Sequence, residues 1–289
     1  MNAALFEKFM NLPTIKIAEP QPNSSRTREL GIQGWGHARC SAAEIAALRK
    51  SIPRWAAADT PGHFFKYSDE QTILAVQALD STMERHGIDV KSLAECAVIA
   101  APQFLGRVQG AHAFGRFLRA GASSISPHLI PQHSLHSVSG AISVLLGCHG
   151  PNLGVGGGPH ALDDALLTAA TLLESGTTPN CLLVCTAWDP EPLPDREGQC
   201  TNEPICHAFA VALKQGQAGA DWGTIRLQLH ESLPQIAVQS PSTNVRRIVD
   251  EMMLAGQSML PRDLQWRMSW GAKAELRLTP RAAQSLRAA

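Results

Sequence analysis

The apolar positions of this chain switch between two periods. Ile73, Val76, Leu79 and Met83 recur at helical spacing and make one stripe, closed by Gly87 at the expected left-handed cap position. Residues 96–101 (CAVIAA) then form an unbroken apolar run of strand length, the pattern of a strand covered on both faces. Residues 106–120 return to helical spacing, with Val108, Phe114, Phe117 and Leu118 as the larger apolar groups. Residues 136–146 predict a helix dense in small residues (Ser137, Ser139, Gly140, Ala141, Ser143), which permits close approach of another backbone. A short strand over 153–156 enters a glycine turn. The helix that follows has Leu162, Leu166, Ala169 and Leu173 on its apolar face and Gly176 at its end. Residues 181–187 read as a buried strand, and 207–213 with 224–229 as a strand pair. Before these, 30–38 predicts a first strand weakened by glycines, and 41–50 a short helix. Strand and helix alternate and then give way to strands, which predicts a layered α/β domain.

Local signals fix several ends. Ser41 with Glu44, and Ser68 with Gln71, have capping-box spacing. Pro159 suits a first helical position, and Asp163 and Asp164 suit the first turn, where the helix dipole favours negative charge. Residues 1–28 carry Pro13, Pro20 and Pro22 and read as an irregular arm. Residues 29–235 make the domain. Past 231 the pattern weakens, so 236–289 reads as an extension, partly helical (Val245, Ile248, Met252) and otherwise mobile, with a basic, Ala-rich tail from 276.

Composition narrows the function classes. Lys+Arg and Asp+Glu both count 25, which leaves no electrostatic footprint for nucleic acid or an anionic membrane. Seven cysteines, scattered and partly in apolar runs, read as free thiols in a reducing compartment. The N-terminus lacks a secretory pattern, and no apolar run approaches the roughly 18 residues of a membrane span. A soluble, cytoplasmic protein is expected.

Candidate chemistry is sparse. The run Gly154, Gly156, Gly157, Gly158 lacks both the Rossmann spacing and the Lys-Ser/Thr of a P-loop. It reads as a tight turn needing positive φ. His128, His133, His136 and His149 cluster in sequence without the spacing of a helical metal site. Cys181 and Cys185 lie about 13 Å apart along one strand, too far to share zinc. Cys200 and Cys206 are looser still. No metal and no cofactor is expected. Cys148 is the thiol nearest the glycine turn, but it precedes the strand, away from the helix start that would lower its pKa. No Gly-x-Ser-x-Gly elbow is present. Asp189, Glu191, Asp195 and Glu197 sit among prolines and read as a solvated loop.

Taken in order, residues 68–87, Ser126-Pro127 through Gly150-Pro151-Asn152, residues 161–176, CLLVCTAWDPEP at 181–192 and residues 207–214 resemble the N-terminal half of a β-ketoacyl synthase. The resemblance covers roughly 30–230. It implies a thiolase-like half: a layered α-β-α arrangement with a mixed sheet and a buried helix, lacking the C-terminal half of a full ketosynthase. In that family Gly-Pro-Asn opens the strand leading to a nucleophilic cysteine at the start of the buried helix. Here the turn is Gly156, Gly157, Gly158 and Pro159, several residues shorter and without cysteine, serine or threonine. The second half, which supplies two histidines in ketosynthases, has no counterpart in this sequence. The pattern is similar to chain-length factors, degenerate subunits that pair with an active synthase and shape its acyl tunnel. It implies a heterodimer with an intact β-ketoacyl synthase, indirect contact with an acyl carrier protein, no independent activity, and a role in polyketide or fatty-acid-like assembly such as aryl polyene pigments. On this resemblance His136, Ser137, Ser139, Asn152 and Val155 are interface candidates. Phe114 and Phe117 are tunnel-shaping candidates, with a plain core role competing. Two other readings stay open: a free-standing acyltransferase-type enzyme on a half-thiolase scaffold using Cys148 or a histidine, and a homodimeric structural or regulatory protein.

Overall fold

The computed structural model describes residues 25–127, 129–195, 203–216, 221–230, 244–269 and 271–279. They form a mixed α/β fold on one eight-stranded sheet. The elements are β1 (Ser25–Ser41), α1 (Ala42–Leu48), α2 (Glu70–His86), β2 (Ala97–Pro102), α3 (Arg107–Ala120), α4 (Leu129–His133), α5 (Leu135–Leu146), β3 (Asn152–Gly154), α6 (Ala161–Glu174), β4 (Asn180–Asp189), β5 (Ile205–Gln215), β6 (Gly223–His230), α7 (Val245–Gln257), β7 (Arg262–Arg267) and β8 (Lys273–Leu278). The sheet order is β3-β2-β4-β5-β1-β6-β8-β7. β3, β2 and β4 are parallel, and the remaining pairings are antiparallel.

Strand alternation explains the layering. Val98, Ala100, Leu182, Val184, Ala208, Ala210 and Ala212 face α2 and α5. Ile99, Ala101, Leu183, Cys185, Phe209 and Val211 face α6 and α7. Both faces of β2 and β4 are therefore apolar, as their unbroken hydrophobic runs require. Across β6, β8 and β7 only the α6/α7 side is buried, through Ile225, Leu227, Leu264, Trp266, Leu276 and Leu278. The alternating sequences RDLQWR and KAELRL fit that one-sided role.

Several expectations change. β1 runs over 17 residues, longer at both ends than 30–38 and reaching into the predicted arm. Its first part pairs with β6 and its second with β5, with an irregularity between Ile32 and Gly34. So β5 and β6 are not a pair; β1 lies between them. The extension past 236 contributes α7 and two strands of the same sheet, while residues 280–289 lie outside the described ones. The Ser41/Glu44 capping box is present. At α2 the cap is instead Asp69, whose side chain accepts from the Gln71 backbone N–H. Asn244 caps α7 by accepting from the Arg247 backbone N–H at 2.9 Å. Asn244→Ala is expected to cost about 1 kcal/mol, read as a lower urea midpoint with unchanged m-value. Among the described residues no helix is long and apolar enough to cross a membrane.

Candidate functional site

β3 is one of the two edge strands of the described sheet, held to β2 in parallel register through Asn152, Leu153 and Gly154. Val155 extends the pairing by donating its N–H to the Ala100 carbonyl at 2.9 Å. The chain then turns at Gly156 (φ 77°) and Gly157 (φ 95°), the left-handed region the glycine run predicts. Space as well as φ demands glycine there. A Cβ on Gly156 would stand 2.5 Å from Ala161 Cα, and one on Gly157 3.0 Å from the Leu135 side chain. The turn is also clamped from β2, since Phe104 N–H donates to the Gly157 carbonyl (3.0 Å) and Gln103 Nε2 to that of Pro159 (3.1 Å). The helix begins at Ala161, so Pro159 precedes it by two residues instead of opening it. Gly158 has open space around its Cα. No side chain in the turn carries a nucleophile.

Cys148 sits at the opposite end of β3. Its thiol donates to the backbone carbonyls of Cys96 (2.8 Å) and Leu93 (3.1 Å). With β3 between Cys148 and the turn and the thiol tied to those carbonyls, Cys148 does not stand in the nucleophile's place at Gly156. The histidines also stay apart. His133 Nδ1 lies 3.0 Å from Asp69 Oδ2, and the exposed His136 borders a shallow groove with Ser137 and Gly140. His128 lies outside the described residues. Among the described residues no group of three or more His, Cys, Asp or Glu side chains could hold a metal ion.

His136, Ser137 and Ser139 lie on α5, which packs on the β3 edge, whereas Val155 packs against the α6/α7 core on the other face of the sheet. α5 packs on β3 so closely that a Cβ at Gly154 would meet Leu135 backbone atoms at 2.3 Å. Ser139 is buried and donates to the His136 carbonyl (3.2 Å). Among the described residues, the buried Ser137 Oγ and Asn152 Oδ1 have no hydrogen-bond partner. A core role for Phe114 and Phe117 is overturned: they are 63% and 46% exposed, on a helix in which only Ala113 is buried. Leu118, Ile130 and Val144, on α3, α4 and α5, are exposed as well.

One cleft escaped the sequence reading. It opens beyond the carboxyl ends of β2 and β4, the usual position for sites in parallel sheets, with a volume of about 540 Å³. Asp69, Gln71, Phe104, Arg107 and Trp188 line it. Thr186 Oγ1 donates to Gln71 Oε1 (2.7 Å), and Gln71 Nε2 donates to the Gln103 carbonyl (3.0 Å), fixing the loop after β2. Phe104 has φ 52°, uncommon for a non-glycine residue. The Arg107 guanidinium stacks 4.0 Å from its ring centroid and pairs with Glu191. Asp189 pairs with Arg246 (2.7 Å). The acidic run is thus tied down by arginines at these two positions rather than merely solvated; Glu197 lies outside the described residues. The cleft was illegible because its polar residues come from segments far apart in sequence.

No family profile and no curated protein matches the sequence. Solved structures do. A ketosynthase in complex with its chain length factor from Xenorhabdus doucetiae matches with TM-score 0.53 at 14% identity, covering 86% of this chain and 98% of that one. A type II polyketide acyl-carrier protein complex with its ketosynthase also gives 0.53, at 12% identity, covering 88% and 99%. The fold is that of a thiolase-like ketosynthase. A β-ketoacyl synthase from Burkholderia phymatum is 16% identical over 68% of this chain, with TM-score 0.47, and this chain spans 63% of its length. In the ketosynthase-like fold, the turn between β3 and α6 is where the resemblance puts the nucleophile, and here it is filled by glycines packed against Ala161 and Leu135.

Proposed function

We propose that this chain is a non-catalytic ketosynthase-like subunit, a chain-length factor. It pairs with an intact β-ketoacyl synthase and shapes that enzyme's acyl tunnel in polyketide or fatty-acid-like assembly, such as that of aryl polyene pigments. The observation that carries the reading is a nucleophile turn without cysteine, serine or threonine, beside an edge strand of the described sheet. The partner's cysteine carries the growing acyl chain, and this chain acts by steric exclusion. The polyketide complexes among its structural neighbours support that assignment, and the tie of the Cys148 thiol to backbone carbonyls argues against the free-standing enzyme.

Each group then has a stated part. Among the described residues β3 has an unpaired edge, and Asn152 Oδ1 and Ser137 Oγ lack hydrogen-bond partners. Phe114, Phe117 and Val144 offer apolar surface that a partner covers. Co-expression with a ketosynthase, capture through a tag on this chain and an elongation assay with malonyl carrier protein test the reading. The expected result is a one-to-one complex whose activity depends on the partner's cysteine. A solitary protein that neither binds a ketosynthase nor alters its product sinks it, and turnover without a partner favours the enzyme reading.

Val144 is 59% exposed. Val144→Glu should leave the thermal midpoint of the isolated chain unchanged and weaken the complex at least tenfold, about 1.4 kcal/mol. Phe117→Ala in an intact complex is expected to shift products toward longer chains, read by mass spectrometry.

A further inference from the structure

Cys40 and Cys206 are register partners across the antiparallel β1–β5 pair, near the end of β1 and the start of β5. Both side chains belong to the apolar layer that faces α1 and α2. Residues directly opposite in an antiparallel pair have Cα atoms roughly 4.5–5.5 Å apart, inside the roughly 4.4–6.8 Å that a disulfide spans. Both are free thiols; Cys40 is half-buried and reachable from solvent, whereas Cys206 is fully buried. The next residues, Ser41, Ala42 and Ala43, line the 540 Å³ cleft, as does Trp188, the register partner of Cys206 on β4.

We propose that Cys40 and Cys206 are a modification site: oxidation by hydrogen peroxide joins them in a reversible cross-strand disulfide at the lip of the cleft. The Cys40 thiolate attacks the peroxide. A sulfur–oxygen bond forms as the oxygen–oxygen bond breaks, leaving a sulfenic acid and one water. Cys206 Sγ then attacks Cys40 Sγ; the sulfur–sulfur bond forms, the sulfur–oxygen bond breaks and a second water leaves. Two thiols and one hydrogen peroxide give one disulfide and two waters, with both electrons supplied by the thiols. The product ties the end of β1 to the start of β5 and fixes the lip between them. Reduction by a small thiol reverses it.

Burial raises the Cys40 thiol first and nearby Glu44 second; burial pushes the Cys206 thiol well above its ordinary range, with Asp69, Glu70 and Cys40 adding to it. Oxidation is therefore slow at neutral pH and accelerates about tenfold per pH unit while thiolate limits the rate. The site is independent of the pairing proposed above, because β2 and β4 separate it from the β3 edge.

The test treats the purified full chain with hydrogen peroxide at pH 7 and pH 8, blocks remaining thiols under denaturing conditions and maps the peptides without reduction. The expected result is a Cys40–Cys206 linked peptide, loss of two free thiols per chain, faster formation at pH 8 and recovery with dithiothreitol. Cys40→Ser and, separately, Cys206→Ala should each abolish that peptide. Having one variant on each strand keeps the result readable if either folds poorly. Recovery of Cys206 as a free thiol beside a Cys40 sulfinic acid overturns the proposal. So does cross-linking confined to another pair, such as Cys96 with Cys148.

Discussion

Gly36→Val is expected to destabilise the fold by about 3 kcal/mol, seen as a lower urea midpoint of the isolated chain. Gly36 lies in β1 where α2 crosses it. A Cβ there would stand 2.4 Å from the Thr82 backbone nitrogen, 2.6 Å from Thr82 Oγ1 and 2.7 Å from the Ala78 carbonyl oxygen. Two of these atoms belong to the helix backbone, so relief requires α2 to move as a body. That movement would disturb the helix's fully buried side chains Ile73, Leu74 and Leu79. It would also break the bonds from Thr82 Oγ1 to the carbonyls of Ala78 (2.8 Å) and Ala210 (3.3 Å). Gly36→Ala should act in the same direction with smaller size. Gly62 has nothing within 4 Å of a Cβ position, so Gly62→Ala serves as the control and should stay within about 0.5 kcal/mol of the parent. A Gly36→Ala chain as stable as that control would show that α2 and β1 are not in the close contact described.

The same crossing shows why parts of the fold were readable from sequence. The Ile73-to-Met83 stripe and the runs CAVIAA and NCLLVCTAW carry their period locally, and each became the expected element. The glycines of 30–38 looked like a weakness of the first strand, yet Gly36 is the condition for packing α2 on β1; that need appears only once the two are opposed. The split pairing of β1 was hidden for a related reason: which strand lies beside which is a long-range choice that alternation does not encode. The strands β7 and β8 do carry a local signal, with Leu264, Trp266 and Met268, and Ala274, Leu276 and Leu278, alternating with polar residues. Their brevity and the weak pattern before them concealed it. At the site, the glycine turn was legible because glycine at positive φ is a backbone requirement. The cleft was not, because Asp69, Phe104, Arg107 and Trp188 meet only through the sheet order.

Asp163→Ala is expected to cost about 3 kcal/mol, roughly the loss of an acceptor for two donors away from water. Asp163 stands in the first turn of α6, as the sequence predicts, but it is buried and serves more than the helix dipole. Its Oδ2 accepts from the Ser269 backbone N–H at 2.7 Å, and its Oδ1 from Trp266 Nε1 at 3.3 Å. It thereby holds the segment after β7 to the helix that follows the glycine turn. Burial raises its pKa above the ordinary 3.8, and the bonds from Ser269 and Trp266 oppose that shift only in part. A carboxyl with a raised folded-state pKa binds its proton more tightly in the folded chain than in the unfolded one. Its ionisation therefore weakens the fold: the stability that the protonated carboxyl contributes is fully present below about pH 3.8 and is lost as pH rises through the higher folded value. Asp163→Asn retains an acceptor for Ser269 without the buried charge, so at pH 7 it should fall within about 1 kcal/mol of the parent. The parent's advantage over Asp163→Asn should then grow as pH is lowered toward 3.8, measured by urea unfolding of both chains across that range. A parent advantage that instead shrinks toward acid would mean that the carboxylate is stabilised by its donors more than burial penalises it, reversing the assigned cause.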